Sequence, residues 1–481
     1  MNLKSLARDT AIYGLSSIVG RFLNYLLVPV HTNRIAVESG GYGIVTNLYA
    51  YTALFFALLT FGMETTLFRF SNRNGEDPEK VYGTSLKLVG GVGLAFVALV
   101  LVFLGPIASS MGYAAHPEYV GAMALIVAMD AFQAIMFSHL RLEGKAVKFM
   151  LLKFAFIVPN VLLNLFIFLV MPFVPMLQGV YARFNDGVGL IFFANLICTA
   201  GVFGFFGSEL KGLRGGFDRA LAGRMLRYSW PLLLLSLVGI LNQVADKILF
   251  PFLYGGGADV QLGIYGACVK IAMIMALLTQ AFRYAYEPIV FGSSRDRNDP
   301  QTLADGMKYF IVFTTFAFLA VMFYMPLLKY FIGKGFWAGL GVVPIVMAAE
   351  VFMGVYFNLS FWYKLTDRTW WGAVMSVAGA VVMIAVNVVG VPRMGYVACA
   401  WGGFAGYGAS MVLSYVLGRK YYPVDYDRRG IGFFLLLGVL LYFLSLLPGW
   451  LYAGWPEWAG MVLNTALLAV YGVMVYKKLI K

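Results

Sequence analysis

Long apolar stretches follow one another along this chain, separated by short turns that carry charge, glycine or proline. A helix crosses the hydrocarbon core of a bilayer with about 20 mostly apolar residues, at ~1.5 Å per residue. By that measure the spans fall at about 9–33, 43–70, 84–106, 119–142, 147–171, 187–208, 224–250, 262–291, 304–328, 339–362, 369–389, 395–418, 430–448 and 457–476. Pro172 and Pro175 crowd the junction of the fifth and sixth. The runs lack the strict alternation a membrane barrel needs, and lipid offers no partner to an unpaired peptide group. The predicted fold is all-α: a polytopic membrane protein of about 14 transmembrane helices.

Charge gives the orientation. Of the 36 Lys and Arg residues, 27 lie in or beside connections on one side. The other side holds five: Arg34, Arg183, Lys329, Lys334 and Arg393. Four more, Arg21, Lys247, Lys270 and Arg283, lie within spans. Basic residues in short loops stay cytoplasmic, so both termini are predicted to be cytoplasmic.

Composition agrees. The 481 residues are 61% hydrophobic and 12% charged, with a mean hydropathy of +0.79. The net charge of +13 reads as a basic skirt on anionic lipid, and no nucleic-acid surface is expected. No cleavable leader is expected, because the first span is long and follows an amphipathic Asn2–Arg8 segment. Cys198, Cys268 and Cys399 lie within spans as small hydrophobes. Three scattered histidines make no metal-ligand spacing, and no nucleotide-binding loop occurs. No cofactor, no metal and no enzyme active site is expected.

The basic, glycine-containing stretch Lys211–Arg219 reads as a linker between two six-helix halves. The expected organisation is an N-lobe over 1–213, a C-lobe over 214–425 and two further helices over 426–481. A faint echo relates the halves. Tyr42-Gly43 and Tyr265-Gly266 open the second and eighth spans, and a glutamate follows each at the same distance, Glu64 and Glu287.

Charges within spans need a reason, since each costs about 2.5–3.5 kcal/mol at mid-membrane. Arg21, near the middle of the first span, reads either as half of a buried pair with Asp130 or as the wall of a water-filled cationic cavity. Asp246 lies at a depth to pair with Lys270, while Lys247 snorkels outward. Arg283 and Glu287, four apart, share one helix face. Glu350 reads as a cation or proton site or as the partner of an arginine. A cavity for organic cations would want an acid in the first helix; an arginine there suits an anionic group such as a phosphate.

Several segments resemble those of bacterial polysaccharide-biosynthesis membrane proteins of the multidrug/oligosaccharidyl-lipid/polysaccharide exporter superfamily. They are Gly62-Met-Glu-Thr-Thr-Leu-Phe-Arg-Phe70, Leu140-Arg-Leu-Glu-Gly-Lys-Ala-Val-Lys-Phe149, Ala245-Asp-Lys247, Gly263-Ile-Tyr-Gly266, Asn358…Thr369 and Asn387…Tyr396. The similarity covers the first twelve spans. It implies two pseudo-symmetric six-helix lobes with two extra helices, in a bacterial inner membrane. It also implies flipping of undecaprenyl-diphosphate-linked oligosaccharide to the outer leaflet for surface polysaccharide or lipopolysaccharide, alongside glycosyltransferases and a polymerase. Lipid II flippases usually carry a second arginine in the first helix, which Gly20-Arg21 lacks; drug/cation antiporters usually have twelve helices and an acid there. A non-transporting scaffold of a glycan-assembly complex is the alternative of a different class.

In the flippase reading the substrate enters a cavity between the lobes by alternating access. Arg21, Lys270 and Arg283 are the candidate diphosphate contacts. Glu64, Asp130, Asp246, Glu287 and Glu350 are candidates for ion coupling or charge pairing. The driving force is then the membrane potential acting on the diphosphate's charge, or a proton or sodium gradient acting through the glutamates.

The orientation is directly testable. Reporter fusions after Lys481 and within residues 209–223 should both report the cytoplasm, and a periplasmic signal at either contradicts the predicted topology.

Overall fold

The computed structural model describes residues 14, 16, 19, 20, 22–73, 75–293, 300–451 and 455–480. Among them every regular element is helical. Among the described residues twelve helices are long and apolar enough to cross a membrane by length and composition. They correspond to the second to eleventh, thirteenth and fourteenth predicted spans, and the chain is a multi-pass, all-α membrane protein.

The two missing spans have different explanations. The first lies partly outside the described residues, and its end is the helix Val28–Arg34. The twelfth is present as the 25-residue helix Val397–Tyr421 but is not apolar enough to count among the twelve. Its sequence shows why. Ala398, Gly402, Gly406, Ser410, Ser414 and Gly418 recur every four residues and are all buried. This stripe lets backbones approach closely, as small residues do between membrane helices. A Cβ on Gly406 would lie 2.8 Å from the Gly379 carbonyl oxygen of the eleventh span. Ser410 Oγ donates to the Met375 carbonyl at 3.1 Å, and Trp362 Nε1 donates to Ser414 Oγ at 3.2 Å. Small and hydroxyl residues lower the hydropathy while they improve the packing.

The second span is also not one helix. It runs Gly41–Thr60, breaks, and resumes as Met63–Ser71. Phe61 and Gly62 occupy the left-handed region, with φ of 34° and 72°. That geometry is costly for phenylalanine and natural for glycine. The break puts Glu64 on a separate short helix. The fifth span, Ala146–Leu169, carries Pro159 inside it, and a short helix Pro175–Arg183 precedes the sixth, Val188–Val202. Asn164 of the fifth span hydrogen-bonds buried His31 at 3.0 Å, joining it to the end of the first. The three cysteines are free and buried.

The chain forms two compact units, Met1–Pro251 with Gly256–Gly263, and Phe252–Gly255 with Ile264–Lys481. In the first, the fourth span, Pro117–Leu142, packs against the second, third and sixth. In the second unit, the twelfth span packs on the tenth and eleventh, and the ninth, Pro300–Phe323, meets both C-terminal helices, Arg428–Leu451 and Glu457–Val475. The seventh and eighth spans are helices of 36 residues, Arg219–Tyr254 and Ala258–Ser293. At ~1.5 Å per residue each is ~54 Å long, well beyond a ~30 Å hydrocarbon core.

Candidate functional site

The backbone break before Met63 turns Glu64 toward the end of the fourth span. Glu64 Oε2 accepts hydrogen bonds from Ser138 Oγ at 3.0 Å and from Arg141 Nη2 at 3.2 Å. Arg141 also donates to Ser138 Oγ at 3.0 Å, and its guanidinium lies 5.2 Å from the Phe68 ring centroid. Arg69, the arginine closest in sequence, instead stacks on Tyr228 at 4.1 Å.

A cavity of about 360 Å³ opens beside this pair. Its polar lining is Glu64, Asp130, Gln133, Arg141 and Lys153, and its apolar walls include Phe56, Phe137, Phe149 and Phe156. The Lys153 ammonium sits 4.0 Å from the Phe137 ring centroid, and its charge acts on Asp130. The space holds on the order of ten waters at ~30 Å³ each. Two carboxylates face two cations, so the cavity is electrically balanced. Such an arrangement can pass or hold a proton or a monovalent cation. It has no surplus positive charge for a diphosphate.

The second unit has a related ion-pair cluster built from its own residues. Glu287 of the eighth span lies 3.3 Å from Arg283 Nε and 3.9 Å from Lys364 Nζ at the end of the tenth. Arg283 and Lys364 both lie over the Phe357 ring, each at 4.6 Å. The loops that carry the two partner cations also match. Arg141-Leu-Glu-Gly-Lys145 follows the fourth span, and Lys364-Leu-Thr-Asp-Arg368 follows the tenth. Gly144 and Asp367 both take left-handed backbone, with φ of 69° and 56°. The next amide then reaches back five residues in each, Lys145 N to Leu140 O at 2.9 Å and Arg368 N to Tyr363 O at 2.8 Å. This is the same helix-ending motif twice. In the first loop a hydrogen bond to Glu143 holds the Lys145 ammonium above its ordinary range.

Arg21 lies outside the described residues. Asp130 lines the cavity with Glu64. Lys247 folds back along its own helix, with Nζ 3.0 Å from both Asp246 carboxylate oxygens and 3.0 Å from the Gln243 carbonyl. It is therefore engaged with its neighbour, unlike the outward-snorkelling lysine expected from sequence. Lys270 and Glu350 are half-buried, and both take part in polar interactions. Sequence reasoning missed Arg141, Lys153 and Lys364, which it had assigned to cytoplasmic connections. The signal that finds two of them is the repeated basic-Leu-x-x-basic ending of the fourth and tenth spans.

The pairs are partly exposed, with Arg141 39% and Glu64 35% accessible, so each contributes only about 0–1 kcal/mol to stability. Glu64→Gln and Glu287→Gln should therefore leave thermal stability nearly unchanged. If the repeated pairs act in transport, each variant should lower transport rate at least about tenfold, ~1.4 kcal/mol of barrier. Unfolding scans beside a flux assay check this; unchanged flux in both variants removes the pairs from the transport mechanism.

The family described as polysaccharide biosynthesis protein matches residues 6–285, more than half of the chain. The fold resembles that of the lipid II flippase MurJ in an inward closed conformation, with a TM-score of 0.74 and 14% identity over 98% of this chain and 99% of that one. It also resembles an inward-facing MATE family multidrug resistance transporter of the MOP superfamily, with a TM-score of 0.65 and 15% identity over 86% of this chain and 97% of that one. MATE in a straight conformation aligns with a TM-score of 0.58 and 17% identity over 86% and 95%. At these identities the likeness is one of fold. No curated protein matches the chain significantly. With the match over residues 6–285, the chain belongs to the polysaccharide biosynthesis protein family.

Proposed function

We propose that this protein moves an undecaprenyl-diphosphate-linked oligosaccharide from the cytoplasmic to the outer leaflet of a bacterial inner membrane, by alternating access, for surface polysaccharide. One observation carries the reading beyond the family. The lipid II flippase fold covers 98% of this chain and the MATE transporter fold 86%. The difference is about 58 residues of 481, the size of the two C-terminal helices with their connections. That the lipid II flippase fold spans nearly all of this chain supports a lipid-linked substrate over a drug or cation.

In this reading two six-helix lobes rock about the substrate while the polyprenyl tail stays in lipid, and both termini are cytoplasmic. Arg21, Lys270 and Arg283 contact the diphosphate inside the membrane. Glu64 with Asp130, and Glu287, couple an ion or proton to the movement, with Glu350 as a further candidate. Glycosyltransferases supply the substrate, and a polymerase consumes it.

Depletion of the protein in cells tests the reading. Lipid-linked glycan should accumulate on the inner leaflet while surface polysaccharide disappears and peptidoglycan synthesis continues. Accumulation of lipid II with arrested wall synthesis would identify a peptidoglycan-precursor flippase instead. Normal translocation of the lipid-linked glycan would leave only a scaffold.

A further inference from the structure

The balanced cavity around Glu64 leaves open where a doubly charged headgroup first meets the protein. A second pocket of the first unit differs sharply in charge. It is an open pocket of about 600 Å³ lined by Arg69, Arg73, Arg219, Arg224 and Arg227, with Tyr228. Two helices build it. Arg69 and Arg73 lie four apart at the end of Met63–Ser71 and just beyond it. On the seventh span Ala220, Gly223, Arg224 and Arg227 recur at three- and four-residue spacing and so share one face. A Cβ on Gly223 would meet nothing within 4 Å, so this face leaves open space.

Two carboxylates stand near the five guanidinium groups. Glu76 Oε1 accepts from Arg224 Nη2 at 2.7 Å. Asp218 accepts from the Leu221 amide at 2.9 Å, and that bond holds its carboxyl below the ordinary range, so it is ionised and engaged as a helix cap. Among the described residues no carboxylate lies within 4 Å of the guanidinium groups of Arg69, Arg73, Arg219 or Arg227. Arginines gathered in a concave pocket with too few acids repel one another, and the field they focus attracts an anion. The planar fork of arginine suits phosphate oxygens in particular.

We propose that this five-arginine pocket is a docking site for a phosphate-ester or diphosphate headgroup, occupied before the headgroup enters the membrane-embedded part of the protein. Naming the diphosphate of the lipid-linked glycan as its ligand rests on the flippase reading above; the anion site itself does not. The seventh helix is long enough to carry these first turns past the hydrocarbon core. Headgroups of lipids in the same leaflet therefore have the reach to enter the pocket.

The test is equilibrium binding of undecaprenyl diphosphate to the full chain in phosphatidylcholine nanodiscs. Arg73→Gln, Arg219→Gln and Arg227→Gln together should weaken binding at least about tenfold. Removing the same charge elsewhere, with Lys211→Gln, Arg214→Gln and Arg429→Gln, should change it by less than about twofold. Arg73→Lys, Arg219→Lys and Arg227→Lys should restore part of the loss, since charge returns without the fork. Unfolding scans confirm that each variant is folded. Displacement by inorganic pyrophosphate supports the diphosphate as ligand. Displacement by phosphatidylglycerol with pyrophosphate inert supports the anion site with a bilayer phosphate as its source. Equal weakening in both glutamine sets, or none in either, overturns the proposal. If binding behaves as expected but the protein does not flip the glycan, the pocket stands and the transport reading falls.

Discussion

A carboxylate or a cation set within a membrane helix is expensive unless a partner or water takes up its charge. Glu64 illustrates how this chain meets that constraint. A two-residue break in the second span swings it onto a short helix, where Ser138 and Arg141 hold its carboxylate. Beside it, Lys153 acts on Asp130. The cavity these four groups share holds two acids and two bases and is large enough to admit water. Were the second span a continuous helix, Glu64 would lie on a different face and the cavity would lose one of its two acids.

The same solution recurs in the second unit, where Glu287 is held by Arg283 and by Lys364 at the end of the tenth span. The helix-ending motif after the fourth and tenth spans recurs with it, down to the left-handed residue. A shared pairing and a shared backbone conformation form a stronger mark of an internal repeat than the Tyr-Gly and glutamate spacing alone. The packing beneath differs in kind. The twelfth span uses a stripe of small residues to bring backbones together, so its apolar character is sacrificed to close approach.

Much of this was legible in the sequence. Length and hydropathy are properties of single segments, so the second to eleventh, thirteenth and fourteenth spans follow from the residues themselves. The twelfth also reads as a span because its length and its flanking charges, Arg393 and Arg419-Lys420, mark it despite the glycines. The Arg283–Glu287 contact is a local four-residue spacing and was equally visible. What sequence could not supply is pairing between distant segments. Arg141 reads as a loop charge until the break at Phe61-Gly62 brings Glu64 to it, and phenylalanine in left-handed backbone has no reliable sequence signature. Lys247 likewise read as a snorkelling lysine, whereas its chain turns back to Asp246 and the Gln243 carbonyl. The five arginines came from two separate basic loops, and only their meeting in one pocket distinguishes them from an ordinary cytoplasmic skirt.

Translocation of a lipid-linked diphosphate sugar is the activity we propose for this protein. The most direct measurement is reconstitution of the purified chain into proteoliposomes with fluorescent undecaprenyl-diphosphate oligosaccharide. Protection of the sugar from an external, membrane-impermeant oxidant reports its leaflet, and the potential is set with potassium and valinomycin. The account predicts protein-dependent movement across the bilayer that responds to the potential or to an imposed proton or sodium gradient. Leaflet distribution identical to protein-free vesicles under every gradient would contradict it.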